Sequence, residues 1–418
     1  MIQVLHGNFL YTPSLGTLET VPDGYLVLQD GRTVGIFSEL PERFSDAERT
    51  DFKNALILPA FTDLHLHAPQ YPMLGMGMDL PLLDWLERYT FRTEARFGDP
   101  DYARRIYREL AQKLIENGTT RVAMFSSLHT DATLILMEEL ENAGVSGYVG
   151  KVSMDRNSPD YYTESTEQSK RETLRWLKEC ERFRTVRPIL TPRFTPSCSD
   201  GLMRWLGDVA REYDLPVQSH LSENHSEIAW VKELAPSCER YWETYARAGL
   251  WKPKTLMAHC VYSDEIERKA MRDYGVTAIH CADSNINIAS GTAPVRQMLE
   301  EGVHVALGSD IAGGAQINML EVMQMTIRAS KFKRMESGWK TDFLSVAEAF
   351  YLGTTAGSSY FGAKPGFGEG EPLHAVVIEE GRLPDADRLT LRERFERAVY
   401  LSKPQDIVAV YAEGKRVK

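Results

Sequence analysis

Eight short apolar segments alternate with stretches of helical period through the middle of this 418-residue chain. Such alternation predicts strand–helix units, and eight of them favour an α/β fold built as a closed, TIM-like (β/α)₈ barrel over an open doubly wound sheet. Two of the helical stretches are residues 102–117, which Gly118 follows, and residues 164–183. The apolar segments lie at residues 55–64, 121–125, 147–152, 188–193, 215–219, 255–258, 276–280 and 303–309.

The two ends of the chain have a different pattern, which is typical of antiparallel strands. Apolar runs at residues 25–28 and 33–36 flank a turn signal at Gly31, and similar runs follow at residues 375–378 and 406–411. Because neither end can bury its apolar faces alone, we expect both to join in one small β-sandwich domain. The predicted domains are residues 1–58 and 370–418 for the small β domain and residues 59–369 for the barrel.

Composition excludes several classes of protein. Lys and Arg total 48 against 59 Asp and Glu, and this net charge of −11 argues against a surface for nucleic acid or anionic membrane. The five cysteines are widely spaced, without a Cys-x-x-Cys motif, which indicates a reducing compartment. The sequence shows no signal peptide, and no run approaches the roughly 18 apolar residues of a membrane helix. We therefore expect a cytoplasmic protein.

Candidate metal ligands stand at the ends of four of the apolar segments. His65 and His67 end the first, and because alternate side chains of a strand share a face, both imidazoles can hold one ion. His220, His259 and Asp310 follow the fifth, sixth and eighth segments, where a parallel barrel places its chemistry. Imidazole plus carboxylate is the ligand set of a hydrolytic zinc or similar ion, which brings the pKa of a water from about 15.7 to about 7.

Two of the candidate positions have more than one interpretation. His259 is either a direct ligand or a hydrogen-bond partner of the attacking water. Glu223, three residues after His220, is placed to shuttle protons at the barrel mouth. Alternatively, Glu223 belongs to the cap of a helix that begins near Ser222.

The motifs around these residues resemble the amidohydrolase superfamily, whose first-strand signature is similar to Pro59-Ala60-Phe61-Thr62-Asp63-Leu64-His65-Leu66-His67. Within it, the chain resembles the guanine deaminases almost from end to end. The most specific stretch is Ala68-Pro69-Gln70-Tyr71. Other matching stretches are residues 79–86, 89–91, 191–194, 218–224, 257–259 and 308–314.

The resemblance implies the ligands of the ion and the contacts of the substrate. One Zn²⁺ per chain, with Fe²⁺ as an alternative, would be held by His65, His67, His220 and Asp310, with His259 as a fifth ligand or water contact. The purine would be bound by Gln70, Arg193 and Phe194, together with His220, Glu223 and Asp310. An amide both donates and accepts along a ring edge, a guanidinium donates to a carbonyl, and an aromatic ring stacks. Simple barrel packing stays an alternative for Phe194.

The activity that the resemblance implies is hydrolytic deamination of guanine to xanthine and ammonia, with Glu223, Asp310 and His259 as catalytic residues. Asp310 would accept a proton from the attacking water, and Glu223 would pass a proton to ring N3 and then to the departing ammonia. Binuclear relatives carry a bridging lysine on the fourth strand, and residues 188–194 contain none, which predicts a single metal. The resemblance further implies that the chain forms a homodimer and that it binds a small purine as its substrate.

Departures from the family leave alternatives open. Ala282 and Asp283 stand where the family has proline and asparagine, so an extra carboxylate near the mouth could redirect the enzyme to a pterin, a triazine or an oxidised purine. Arg92 replaces a family proline and affects only a local turn. A non-catalytic barrel scaffold is the other alternative, although the ligand set is complete. Residues 85–91 are expected to form a packed lid or helix rather than a substrate contact.

Overall fold

The computed structural model describes residues 1–380 and 388–418. The strands of this described part are β1 (Ile2–Ser14), β2 (Thr17–Gln29), β3 (Arg32–Phe37), β4 (Glu48–Pro59), β5 (Phe61–His67), β6 (Thr119–Phe125), β7 (Ser146–Gly150), β8 (Val152–Ser153), β9 (Val186–Pro188), β10 (Thr191–Pro192), β11 (Val217–Leu221), β12 (Thr255–His259), β13 (Thr277–His280), β14 (Val305–Leu307), β15 (Ala375–Ile378), β16 (Ile407–Ala412) and β17 (Lys415–Arg416).

Helices occupy most of the connections between these strands. They are α1 (Leu82–Trp85), α2 (Phe91–Ala95), α3 (Pro100–Glu116), α4 (Thr130–Ala143), α5 (Thr166–Glu179), α6 (Asp200–Glu212), α7 (His225–Leu234), α8 (Trp242–Arg247), α9 (Glu265–Tyr274), α10 (Ala282–Asn287), α11 (Val295–Glu300), α12 (Met319–Glu336), α13 (Val346–Tyr351), α14 (Gly357–Ser359) and α15 (Leu391–Leu401).

Both chain ends contribute to one sheet of seven strands, in the order β17-β16-β15-β4-β1-β2-β3. Only β1 and β4 run parallel in it, and the other neighbours are antiparallel. Alternate apolar side chains from the two ends, such as Leu5, Ile57 and Val377, share one buried cluster. The expected pairing of the termini is therefore present in this sheet.

The middle of the chain supplies two parallel sheets of four strands each, β5-β6-β7-β9 and β11-β12-β13-β14. A bridge between Leu190 and Val217 joins the two sheets on one side. On the other side, the amide of Asp310 donates to the carbonyl of His65 at 2.8 Å. One buried cluster takes side chains from both sheets, so they share an interior. The eight strands correspond to the eight predicted segments.

The first predicted segment, residues 55–64, was wrong as a single strand. Residues 55–59 belong to β4 of the terminal sheet, and β5 begins at Phe61. The amide of Ala60, between them, donates to the carbonyl of His374 at 3.1 Å. Both strands are buried where they meet, so no polar residue marks the break. The predicted helices at 102–117 and 164–183 are found as α3 and α5, and Asp99 caps α3 through the amides of Asp101 and Tyr102.

The structure bears on the expectations about cysteines and membrane helices. All five cysteines are buried and free of disulfide bonds. Among the described residues, no helix combines the length and the apolarity that a membrane span requires.

Candidate active site

The five predicted ligands meet at the carboxyl ends of the parallel strands. β5 ends at His67, β12 ends at His259, and His220 is the penultimate residue of β11. Asp310 follows β14 by three residues. Each of the five is at least nine-tenths buried apart from His220, which is slightly more exposed.

Their polar atoms face one another at short distances. The Nε2 atoms of His67 and His220 lie 3.1 Å apart. Asp310 Oδ1 lies 3.3 Å from His65 Nε2 and 3.6 Å from His67 Nε2, and its Oδ2 lies 3.8 Å from His259 Nε2. Two overlapping trios therefore have a metal-binding arrangement, His65 with His67 and His220, and His65 with His259 and Asp310.

Hydrogen bonds on the far side of two rings fix which nitrogen faces this centre. His220 Nδ1 lies 2.6 Å from the carbonyl oxygen of Arg193, and His259 Nδ1 lies 2.9 Å from Asn285 Oδ1. Because these oxygens accept, each Nδ1 carries the proton and each Nε2 presents a lone pair to the centre.

Protonation of the histidines is suppressed by their surroundings. Burial, and then the charge of neighbouring His65, hold the pKa values of His67 and His220 well below the ordinary value. Burial alone would raise the pKa of Asp310, but the charge and hydrogen bond of His65 outweigh it and keep the pKa below its usual range. Neutral imidazoles and an ionised carboxylate are the protonation states that a divalent ion requires.

The carboxylate of Glu223 faces the same centre. Its Oε2 lies 3.4 Å from His259 Nε2, and its Oε1 accepts from the hydroxyl of Ser290 at 3.2 Å. Burial, reinforced by the negative charge of Asp310, raises the pKa of Glu223 to about 8. A carboxyl group that holds a proton near neutral pH is suited to general acid catalysis.

The helix-cap interpretation of Glu223 is not what the structure shows. Asn224 caps α7, its side chain accepting from the amide of Ser226, and Glu227 completes the capping box. Glu227 Oε2 also accepts from the amide of Glu223 at 3.0 Å, which holds the loop in place. The side chain of Glu223 is therefore left free to face the centre.

Two of the site residues have unusual backbone conformations. His259 has φ +73° and Asp310 has φ +49°, both in the left-handed region that residues other than glycine rarely adopt. Such conformations persist only where surrounding structure enforces them, and they are found preferentially at functional sites. Here they occur at the carboxyl ends of β12 and β14, which lie on either side of β13.

The predicted substrate residues line a cavity of about 440 Å³, its open mouth included, next to this centre. Gln70, Arg193 and Phe194 lie in its wall together with Glu223 and Asp310. Phe194 is buried, with its ring edge-on to His220 at 6.5 Å. Trp85 and Leu86, which were expected to form a packed lid or helix, also line this cavity.

Comparisons with known proteins agree with this geometry. The chain matches the Amidohydrolase family over residues 56–417. Guanine deaminase from Dictyostelium discoideum is 33% identical over 447 aligned residues, which cover 100% of this chain and 98% of that protein. The chain belongs to the amidohydrolase family. The resemblance inferred from the motifs is therefore confirmed, and so is a mixed α/β amidohydrolase fold.

Two further relatives extend the similarity. Guanine deaminase from Escherichia coli is 30% identical, with 96% of this chain and 92% of that protein aligned. A crystal structure of guanine deaminase from C. acetobutylicum, with guanine bound in its active site, superimposes on this amidohydrolase with a TM-score of 0.97. It is 43% identical, and the match covers 100% of both chains.

Besides Glu227, sequence reasoning missed two buried carboxylates of this amidohydrolase site. Asp63 accepts from the amide of Ser309 at 2.9 Å and of His65 at 3.3 Å, so it joins the ends of β5 and β14 beside two ligands. Glu94 binds Arg193 and Gln70. Asp63 carried a signal, because it precedes His65 by two residues on the same face of the strand. Glu94 carried none.

The unusual carboxylate of this amidohydrolase, Asp283, is turned away from the cavity. Its Oδ2 accepts from the amide of Ala315 at 2.7 Å, and Asp283 is not among the cavity-lining residues. Burial raises its pKa. Its contact therefore holds the loop after Asp310 rather than a substrate.

Proposed function

We propose that this chain catalyses the hydrolytic deamination of guanine, in which guanine and water give xanthine and ammonia. The observation that carries the proposal is a single cavity in which the ligand cluster and Glu223 adjoin the ring-binding side chains Gln70, Arg193 and Phe194. The relatives named above support it, because each is a guanine deaminase that aligns with nearly the whole of this chain.

The wall of the cavity suits a flat, polar ring. Phe194 offers an aromatic edge and face, and Leu82, Trp85 and Ile288 add apolar surface. Arg193 and Gln70 offer N–H groups to a carbonyl oxygen in the plane of the ring. A purine held by these groups would direct its amino-bearing carbon toward Asp310 and Glu223.

The residues fit one divalent ion, which we propose to be Zn²⁺ with Fe²⁺ as an alternative. His65, His67, His220 and Asp310 would hold it, and His259 would be a fifth ligand or a water contact. The ion would supply Lewis-acid chemistry that makes water a stronger acid at neutral pH. Nitrogen and carboxylate donors of this kind suit zinc, iron and manganese alike, so the donors do not select among them.

The chain's own carboxylates would move the protons. Ionised Asp310 would accept a proton from the attacking water as the water adds to C2. Protonated Glu223 would donate to N3 and neutralise the charge that develops on the ring. Asp310's proton would then pass by way of Glu223 to the departing amino group, and the proton of the added hydroxyl would return to Glu223 as the C2–N bond to that group breaks. Ammonia then leaves, xanthine remains, and both carboxyl groups are back in their starting states.

The proposal extends to the domain organisation of the chain. We propose that the two parallel sheets close as a (β/α)₈ barrel over residues 59–369. Residues 1–58 and 370–418, of which 381–387 lie outside the described structure, would form a small β-sandwich domain. A cytoplasmic homodimer stays a prediction of the sequence.

Ammonia release from purified, zinc-loaded protein tests the function across guanine, a pterin, an aminotriazine and 8-oxoguanine. Identification of xanthine by chromatography would confirm guanine as substrate. A strong preference for another ring would keep the catalytic centre and reject the proposed substrate. Absence of turnover with metal bound would support the non-catalytic scaffold.

A further inference from the structure

Glu94 is a fully buried carboxylate behind the cavity wall, where two of the proposed substrate residues, Gln70 and Arg193, bind it. It has no exposed surface, and Arg193 beside it is 2% exposed. Arg193 donates from Nη1 to Glu94 Oε2 at 2.6 Å and from Nη2 to Oε1 at 3.1 Å. Gln70 Nε2 donates to the same Oε1 at 2.8 Å. Both carboxylate oxygens are therefore occupied by groups that also line the substrate cavity.

These contacts fix the orientation of the Gln70 amide. Its Oε1 accepts from the backbone amide of Ala312 at 3.0 Å, and a backbone N–H can only donate. Its Nε2 lies against the carboxylate of Glu94, and an ionised carboxylate can only accept. A flipped amide would place oxygen against oxygen and N–H against N–H. With Oε1 turned to Ala312 and one N–H to Glu94, the donor that Gln70 keeps for a ligand is its second N–H.

Glu94 also determines what Arg193 presents. Burial alone would lower the pKa of Arg193, but the charge and hydrogen bonds of Glu94 outweigh it and raise the pKa above its ordinary value. The guanidinium is fixed by two of its nitrogen atoms in a fork, and its other N–H groups have no acceptor on Glu94. A guanidinium offers donors alone, so Gln70 and Arg193 together form a wall of donors.

We infer that Glu94 is a positioning residue that makes this wall donor-only and thereby selects a ring carbonyl over a ring amino group. The inference rests on the proposed function, under which guanine carries its carbonyl at C6. A purine with an amino group at C6 would place its N–H groups against those of Gln70 and Arg193. A site built to hydrogen-bond one polar group strongly rejects an analogue that cannot make the same bond. Glu94→Gln replaces one of the two acceptor oxygens by an NH₂ donor, so Gln70 and Arg193 can no longer both keep their partners, and discrimination should fall.

The test compares guanine with 2,6-diaminopurine, which has an amino group in place of the carbonyl at C6 and, as a consequence, no proton on N1. Both carry the reacting amino group at C2, where hydrolysis of 2,6-diaminopurine yields isoguanine. We expect wild-type protein to favour guanine in kcat/KM. In Glu94→Gln, KM for guanine should rise about tenfold, the size expected for one hydrogen bond. The guanine preference should fall by at least the same factor, with metal content unchanged.

Glu380→Gln is the matched control, because Glu380 Oε1 binds Arg394 Nε at 2.8 Å in an ion pair that is also buried but lies outside the cavity. Its loss should reduce stability and leave both KM and the preference unchanged. A purely structural role for Glu94 would likewise reduce active protein without moving either quantity, and that result would overturn the inference.

A second variant covers failure of Glu94→Gln to fold. Gln70→Met removes the oriented amide itself, and it should also lower the guanine preference about tenfold. An unchanged preference in that variant would overturn the donor-only wall. Wild-type protein that leaves guanine intact would instead overturn the proposed function, so the two failures are distinguishable.

Discussion

The Nε2 atoms of His67 and His220 lie 3.1 Å apart, with their rings nearly parallel at 13°. Nδ1 of His220 donates a hydrogen bond to the carbonyl of Arg193, so Nε2 of His220 presents a lone pair. Nδ1 of His67 is buried and has no partner among the described residues. Burial and neighbouring positive charge oppose an added proton on either ring. A shared cation explains this approach better than a direct hydrogen bond between the rings.

Metal removal should therefore abolish activity and reduce thermal stability. At a free ion concentration of about 100 times Kd, the bound ion stabilises the fold by about 2.7 kcal/mol. Atomic absorption should show one ion per chain in the restored protein. His67→Ala should lose the ion, whereas His280→Ala, at a buried histidine outside the cluster, should retain it. Full metal content in His67→Ala would contradict the assignment.

Glu223→Gln should retain the metal and lose turnover by about 10² to 10⁴, the usual contribution of a general acid or base. The fold should survive, because Asn224 and Glu227 cap α7 without the Glu223 side chain. Steady-state kinetics and metal analysis on the same preparation check both parts. Exposed Glu265→Gln serves as the control. Wild-type activity in Glu223→Gln would remove this residue from the mechanism.

Asp283→Asn should leave the choice of ring unchanged. The asparagine oxygen can still accept from the amide of Ala315, and the native carboxylate does not line the cavity. Relative kcat/KM values across guanine, a pterin, an aminotriazine and 8-oxoguanine measure the effect. A tenfold change in preference would show that Asp283 reaches the substrate after all.

The central strands could be predicted because buried parallel strands are short, apolar and bounded by helices. The residues at which these strands begin and end could not be predicted. The apolar run at 55–64 divides between two sheets, and the segment at 188–193 divides between β9 and β10. At the first break the side chains stay buried on either side, and at the second Ile189 and Leu190 are buried between the two strands. Hydrophobicity therefore carries no mark of where one strand ends.

The candidate site was predictable only where spacing or a motif constrains it. His65 and His67 were visible through the two-residue period of a strand, and His220, His259 and Asp310 through their places after apolar segments. Glu94 was not, because glutamate in a short helix ordinarily faces solvent. Its burial depends on Arg193, 99 residues later in the chain, and only the tertiary structure brings the two together.

Glu267 should make stability fall as the pH rises from about 4.5 to about 7. It is buried at the start of α9, where its Oε1 accepts from the hydroxyl of Ser263, and burial raises its pKa from 4.5 to about 7. Between these pH values the unfolded carboxyl has released its proton and the folded one has not. Rising pH therefore favours unfolding, by about 3 kcal/mol at about 1.4 kcal/mol per pH unit.

Glu267→Gln keeps the shape and the acceptor oxygen but cannot ionise, so its stability should lose this pH-dependent part. Urea denaturation of metal-loaded wild type and variant, at pH values from 5 to 8, measures the difference between their free energies of unfolding. The difference should grow in favour of the variant up to pH 7 and then level off. Glu265→Gln, exposed on the same helix, should track wild type throughout. Parallel curves for Glu267→Gln and wild type would show that the buried carboxyl ionises as readily as in the unfolded chain.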